Sequence, residues 1–436
     1  MATGSVTGIC EGSNFNLRRP GANLAIRENL PALTGLRFVA ALCVLLAHAV
    51  NVFLDRYTFI NWLEYATNFG MTLFFVLSGF VIHYNYGPSI FGGRVQSSLA
   101  YLWARFARLY PLYLLMLIIY VALSSRTLDL WHGDATRFFE LLDVLPYFLF
   151  SLQSWFYIPI NATDTLIDGI GGGSPLTWSI STEWFFYLAY FVIGAIVFRL
   201  RRPALAFSAV IVWITACLTT MTILSGFLPE IDGWAMAHFG PVASMRSNWQ
   251  DSFVRWLLYL APYVRAGEFI LGALVAQLYL TSRERTIAES EQRFGRALGY
   301  LAIASVPLLT YVTAAPTAPA NALQAMGLNF GLAASAATLV YTFVRYKSVA
   351  ASLLSANPVI ALGDASYSIY LTHYVVVLGV SRIMPANSLA LALLEFVASV
   401  VVALMVSLWL YRYYEAPMRR WLRAVPFTDP VAGVEA

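Results

Sequence analysis

Lysine is almost missing from this chain: Lys347 is the only one in 436 residues. Charge of either sign is scarce, at 11% of residues against about 25% in soluble globular domains. With 59% hydrophobic residues and a mean hydropathy of +0.67, no polar shell covers the apolar surface, which excludes a soluble fold. The formal net charge of +4 is spread over short loops rather than gathered in a patch, so nucleic acid is not an expected partner. Cysteine is limited to Cys10, Cys43 and Cys217, without metal-ligand spacing and with two of them inside apolar runs. Neither a disulfide framework nor a cysteine metal site is indicated. The chain also lacks a Gly-x-Ser-x-Gly elbow, a His-Glu-x-x-His helix and a Cys-x-x-Cys pair, which disfavours a serine hydrolase and a bound metal. No apolar stretch with a cleavage site lies in the first thirty residues, so no removable signal peptide is read, and the first apolar run serves as a retained insertion signal.

What is present is hydrophobic length. Eleven apolar segments stand out, at about 33–54, 69–86, 99–123, 138–154, 177–198, 206–224, 253–280, 297–312, 323–343, 360–380 and 389–411. The fourth is short and carries Asp143, Pro146 and Gln153. The distribution of basic residues decides whether it crosses. If it does not, and the N-terminus is cytosolic, twenty basic residues fall inside and six outside. If it does, every later loop inverts and most of that bias is lost. The sequence therefore predicts an all-α integral membrane protein: a bundle of about ten transmembrane helices plus one short re-entrant or outer-face segment, with both termini cytosolic in a cell (inner or plasma) membrane. Residues 1–30 form a polar cytosolic lead, 31–423 the membrane domain and 424–436 a short cytosolic tail. The outer run Gly171, Gly172 and Gly173 lacks the Gly-Lys-Ser/Thr ending of a phosphate loop and reads as a connector. Asn161-Ala-Thr163 fits a glycosylation tripeptide in an outer loop but carries no weight without the host.

An ionisable side chain at membrane depth costs about 2.5–3.5 kcal/mol on insertion scales, so each needs a partner, water or a task. The candidates are Arg37, His48, Arg105, Arg108, Glu183, Arg265, Glu268, Asp364, His373 and Glu395. Arg37 and His48, eleven residues apart, share a helical stripe about 16 Å long. His48 is either a packing histidine or a proton acceptor near neutral pH. Arg105 and Arg108, at i and i+3, either set topology at a membrane edge or clamp phosphates with paired guanidinium donors. Glu183 has no cation in its own segment; it is either a helix-start carboxylate or one paired from another helix. Arg265 and Glu268 are expected to be each other's counter-ion. Ser366, Tyr370 and His373 fall on one helical face, which lines a cavity or hydrogen-bonds neighbouring helices. Ser78 and Gly79 in Phe74-Phe-Val-Leu-Ser-Gly-Phe80 are explained by close helix packing. Tryptophans gather towards the outer side as interfacial anchors.

Taken in order, these pieces resemble the acyltransferase-3 family of multi-pass membrane O-acyltransferases. The likeness runs from about Leu33 to Trp421. It is carried by Leu33-Thr-Gly-Leu-Arg37-Phe with His48, Phe74-Phe-Val-Leu-Ser-Gly-Phe80, Arg105-Phe-Ala-Arg108-Leu-Tyr-Pro111 and Trp178-Ser-Ile-Ser-Thr-Glu183. Arg265-Ala-Gly-Glu-Phe-Ile-Leu-Gly272, Ser366-Tyr-Ser-Ile-Tyr-Leu-Thr-His373 and Glu415-Ala-Pro417 complete it. The resemblance implies transfer of an acyl group, commonly acetyl, from acyl-CoA to a hydroxyl of a carbohydrate or glycolipid, with no permanently bound cofactor. It implies a catalytic role for Arg37, His48 and Glu183 and donor binding by Arg105 and Arg108. Ser366, Tyr370 and His373 are substrate-side candidates. Trp184 stands where relatives often place a second carboxylate, and the hydrolase-like domain that some members carry at the C-terminus has no counterpart in this sequence. The competing expectations are a glycan transporter or flippase using the same charges as a translocation path, and a non-catalytic membrane scaffold.

Overall fold

A computed structural model describes residues 29–55, 61–92, 97–132, 136–170, 174–314, 318–383 and 388–424. Most of the N-terminal lead with Cys10, Arg18, Arg19 and Arg27, the tail beyond 424, Gly171 to Gly173, Arg56 and Arg94 lie outside the described residues.

Among the described residues ten helices carry the body of the fold: α1 (Pro31–Phe53), α2 (Ala66–Ile90), α3 (Ser97–Leu123), α4 (Trp178–Val197), α5 (Pro203–Gly226), α6 (Pro262–Ser282), α7 (Glu289–Thr313), α8 (Ala333–Arg345), α9 (Ser366–Ile383) and α10 (Leu389–Leu410). Among the described residues there is no strand, only an isolated bridge between Pro159 and Thr165. Among the described residues eight helices are long and apolar enough to cross a membrane, and nine if Ala322–Leu328 and α8 are one bent span. The remaining long helix, α9, has 18 residues and a polar buried face. The protein is an all-α, multi-pass membrane protein of roughly ten spans.

Prolines and small polar caps set several helix starts. Pro31, Pro203 and Pro262 occupy first-turn positions, where the missing N–H has no intrahelical partner to lose. Ser388 caps α10 through its side chain. The outer helices α5, α7 and α10 are apolar on most sides and expose Ile211, Val212, Leu301, Leu308, Leu394 and Val401, the faces that meet lipid. The centre is the crossing of α2 and α6. A side chain at Gly79 would collide with the Phe269 carbonyl, and one at Gly272 with the Val76 carbonyl, so the two backbones touch there.

One end of the bundle is basic. Arg345 donates to the carbonyls of Arg283 and Arg285, Gln292 to that of Lys347, and Trp103 to that of Leu422. The opposite, loop end is stitched by Arg126, which bonds Glu140 at 2.6 Å and Asp164 at 2.8 Å, and by Tyr157 to the Asp251 carbonyl. Here Asp168 is pushed up to about 6 by burial, with Asp251 and Asp164 adding to the rise.

The apolar segments are less continuous than their hydropathy suggests. The 323–343 run breaks between Leu328 and Ala333 with a 48° bend, because Phe330 sits at φ 66 and its N–H donates to Glu268. The 253–280 run contains a π-helical turn, Trp256–Leu260, before Pro262 restarts the helix. The 360–380 run divides at Ala365. The fourth segment forms a helix, Thr136–Leu149, of 14 residues, about 21 Å and short of a bilayer core of about 30 Å. The chain then turns at Ser151, with φ 54, and tucks Gln153 and Ser154 under the start of α4.

Candidate active site

An open-mouthed cavity of about 700 Å³, counted with its mouth, lies between α1, α2, α3, α4 and α9. Three cations and one carboxylate surround it: Arg37, Arg105, Arg108 and Glu183. α3 begins at Ser97, so the rise per residue puts Arg105 about 12 Å and Arg108 about 16 Å along it. The arginine pair stands in the first half of the helix, where both side chains line the cavity. Arg105 is fully buried; it donates to the Tyr86 hydroxyl at 2.7 Å and lies over that ring at 4.9 Å. Glu183 accepts from the Tyr187 hydroxyl at 3.1 Å. The cations missing from its own segment are supplied across the cavity by α1 and α3.

Much of the rest of the lining is apolar, with Met71, Phe74, Leu77, Ile82 and Ile180 among it, beside the hydroxyl side chains Ser78, Ser179, Ser366 and Tyr370. The Ser366 hydroxyl is buried in this wall without a hydrogen-bond partner, which marks it as a group waiting for a ligand or water.

His48 and His373 meet just beyond. His373 Nε2 lies 3.1 Å from His48 Nδ1, and the ring centroids are 5.1 Å apart. The Ile369 carbonyl, 3.0 Å from His373 Nδ1, can only accept, so that nitrogen carries the proton and Nε2 is left as an acceptor. His48 Nδ1 must then be the donor, shared with the Val44 carbonyl at 3.0 Å. The consequence is a neutral His48 with its lone pair on Nε2. Neither histidine lines the cavity itself; Tyr370, 6.1 Å from His373 between ring centroids, stands between. Glu183 lines the arginine cavity, and the side chain within hydrogen-bond distance of His48 is His373.

Arg265 and Glu268 pair at 3.0 Å with both side chains fully buried. Thr72 and the Phe330 N–H also donate to Glu268, and the Arg265 guanidinium lies 4.6 Å above Tyr259. This pair is a structural lock. Sequence reasoning passed over His83, buried between Tyr190 at 3.0 Å and Gln277 at 2.9 Å, although a histidine inside an apolar run was the signal that singled out His48. It also undervalued Glu415, whose buried carboxylate accepts from Ser368 at 2.6 Å. No cluster of metal-ligating side chains occurs among the described residues.

Comparison with known proteins adds a family to this geometry. Residues 30–412 match the sequence model described as an acyltransferase domain, of the third acyltransferase type. The chain is 27% identical to the acyltransferase MdmB of Streptomyces mycarofaciens over 374 residues, 81% of each chain. It is 24% identical to the peptidoglycan O-acetyltransferase OatA of Listeria monocytogenes over 90% of this chain but only 56% of that protein. A stretch of 95 residues is 40% identical to protein 2 in the picA locus of Rhizobium radiobacter, over 22% of this chain and 46% of that one. No solved structure matches.

Proposed function

This chain belongs to the acyltransferase-3 family and is an acyl-transfer enzyme, and from that premise we propose that it moves a short acyl group from acyl-CoA to a hydroxyl of a carbohydrate or glycolipid. The basic end faces the cytosol in this reading, both termini are cytosolic and the membrane is the cytoplasmic one. The observation that carries the proposal is the cavity: three arginines at its polar part, an apolar wall, and a histidine pair outside the lining, next to Tyr370.

Arg105, Arg108 and Arg37 hold the phosphates of the donor, since guanidinium groups offer paired charged donors to phosphate oxygens. The apolar lining takes the pantetheine arm, and Ser366 is free to bond one of its amides. His48 Nε2 removes the proton from the acceptor hydroxyl as that oxygen attacks the thioester carbonyl. The new C–O bond forms, the C–S bond breaks, and the proton passes from His48 to the departing thiolate. His373 Nε2 accepts from His48 Nδ1 throughout, so the imidazolium is oriented and its charge shared at the moment it exists. Glu183 balances the arginine cluster. The name of the Listeria relative supports a peptidoglycan-like carbohydrate as acceptor.

The reading is tested in membranes of a deletion strain restored with each variant and supplied with labelled acetyl-CoA. Base-labile label in the envelope is the product. His48→Ala is expected to lower it by about 10²- to 10⁴-fold, the usual contribution of a general base. Wild-type labelling by His48→Ala would refute the role given to His48.

A further inference from the structure

Two of the rings that line the cavity pack together, and one of them, Tyr370, reaches His373, which lies outside the lining. Phe74 and Tyr370 both line the cavity and pack edge to face, 5.8 Å apart at 74°. Tyr370 is pinned: its hydroxyl donates to the Leu176 carbonyl at 2.8 Å and accepts from Ser179 at 2.8 Å. On the same face of α9, Ser366, Tyr370 and His373 follow at four and three residues, so Tyr370 stands about 6 Å beyond Ser366 and His373 about 4.5 Å beyond Tyr370. Phe74 has no polar anchor and sits where the three apolar cores of the protein meet. One wall of the constriction is thus fixed by hydrogen bonds and the other only by packing.

We infer that the Phe74–Tyr370 pair is the ruler that limits the length of the acyl group. The inference rests on the acyl-CoA reading above. A donor held by its phosphates at the arginines presents its acyl end to this wall. The carbonyl carbon must come within reach of a hydroxyl activated by His48, and whatever lies beyond that carbon must fit against the rings. An acetyl group adds one methyl there. A butyryl group adds two further methylenes, for which the pinned Tyr370 leaves no room unless Phe74 moves. Each methylene in a fitted apolar pocket is worth about 10- to 200-fold in discrimination.

The test is competition between isotopically distinct acetyl-CoA and butyryl-CoA in the same membranes, which reads the ratio of kcat/KM without knowledge of the acceptor. The wild type is expected to favour acetyl by about tenfold or more. Phe74→Ala should shift the ratio at least about tenfold towards butyryl. Phe74→Leu and Tyr370→Phe, milder changes that keep the core filled, should shift it in the same direction by less. If the wild type transfers butyryl as well as acetyl, or if the ratio stays fixed in all three variants while acetyl transfer persists, the ruler is wrong and the acyl-CoA reading stands. If the wild type labels the envelope from neither thioester, both fall together.

Discussion

Two i, i+3 pairs containing arginine lie at membrane depth in this protein, and they have opposite surroundings. Arg265 and Glu268 are wrapped: ion-paired at 3.0 Å, bonded by Thr72 and Phe330, stacked on Tyr259 and closed to solvent. Arg105 and Arg108 stand at an open cavity with Arg37 and Glu183, and the buried Glu415 carboxylate also acts on Arg37 and Arg108. A charge neutralised by its own neighbours holds a fold together. Cations gathered around an open space can take a ligand of the other sign. The residue types are nearly the same in the two places, and only the accounting of partners separates a lock from a binding site.

The comparison can be broken at either pole. Glu268→Ala leaves a buried guanidinium unpaired, which costs about 3–5 kcal/mol, so the variant should unfold at markedly lower temperature in detergent. Arg108→Ala removes a partly buried cation that shares its carboxylate neighbours with Arg37, and should leave the melting temperature closer to wild type than Glu268→Ala does. Equal destabilisation by the two would erase the distinction. A smaller effect sharpens the histidine side. His373→Ala removes the acceptor facing His48 Nδ1, and the loss of one charged hydrogen bond of about 1.5–3 kcal/mol should slow acyl transfer by about 10- to 150-fold. Full activity of His373→Ala would mean that His48 needs no holder.

The smallest effect lies outside the bilayer, at the loop end. Asp168 is held near 6, above its ordinary 3.8, so the folded state prefers the neutral acid. Its contribution to stability is complete below about pH 4 and is lost as pH rises through 6. Asp168→Asn should therefore gain stability relative to wild type between pH 4 and pH 6, read as the difference between two melting curves. A difference that does not change with pH would place the titration elsewhere.

Much of this architecture was legible in the chain. The span lengths, the short fourth segment and the Arg265–Glu268 pairing follow from hydropathy, charge bias and helical spacing. The interruptions were not, because the break at Asn329–Leu332 lies inside a long hydropathic run and is set by the Phe330 N–H, which donates to Glu268 on another helix. The site residues were visible as costly polar groups, but their grouping was not. Arg37 and His48 share a stripe in sequence, yet the structure gives Arg37 to the cavity and His48 to His373, which is 325 residues away. Glu183 looked stranded for the same reason: its cations come from α1 and α3.

The central claim, that the open arginine cavity is the acyl-donor site and the histidine pair the chemical one, is tested most directly by equilibrium binding of acetyl-CoA to the purified full chain in lipid nanodiscs. The account predicts that Arg105→Ala/Arg108→Ala weakens binding by at least about tenfold, on the scale of a lost charged hydrogen bond, while His48→Ala binds as the wild type does. Unchanged affinity in the arginine double variant would contradict it.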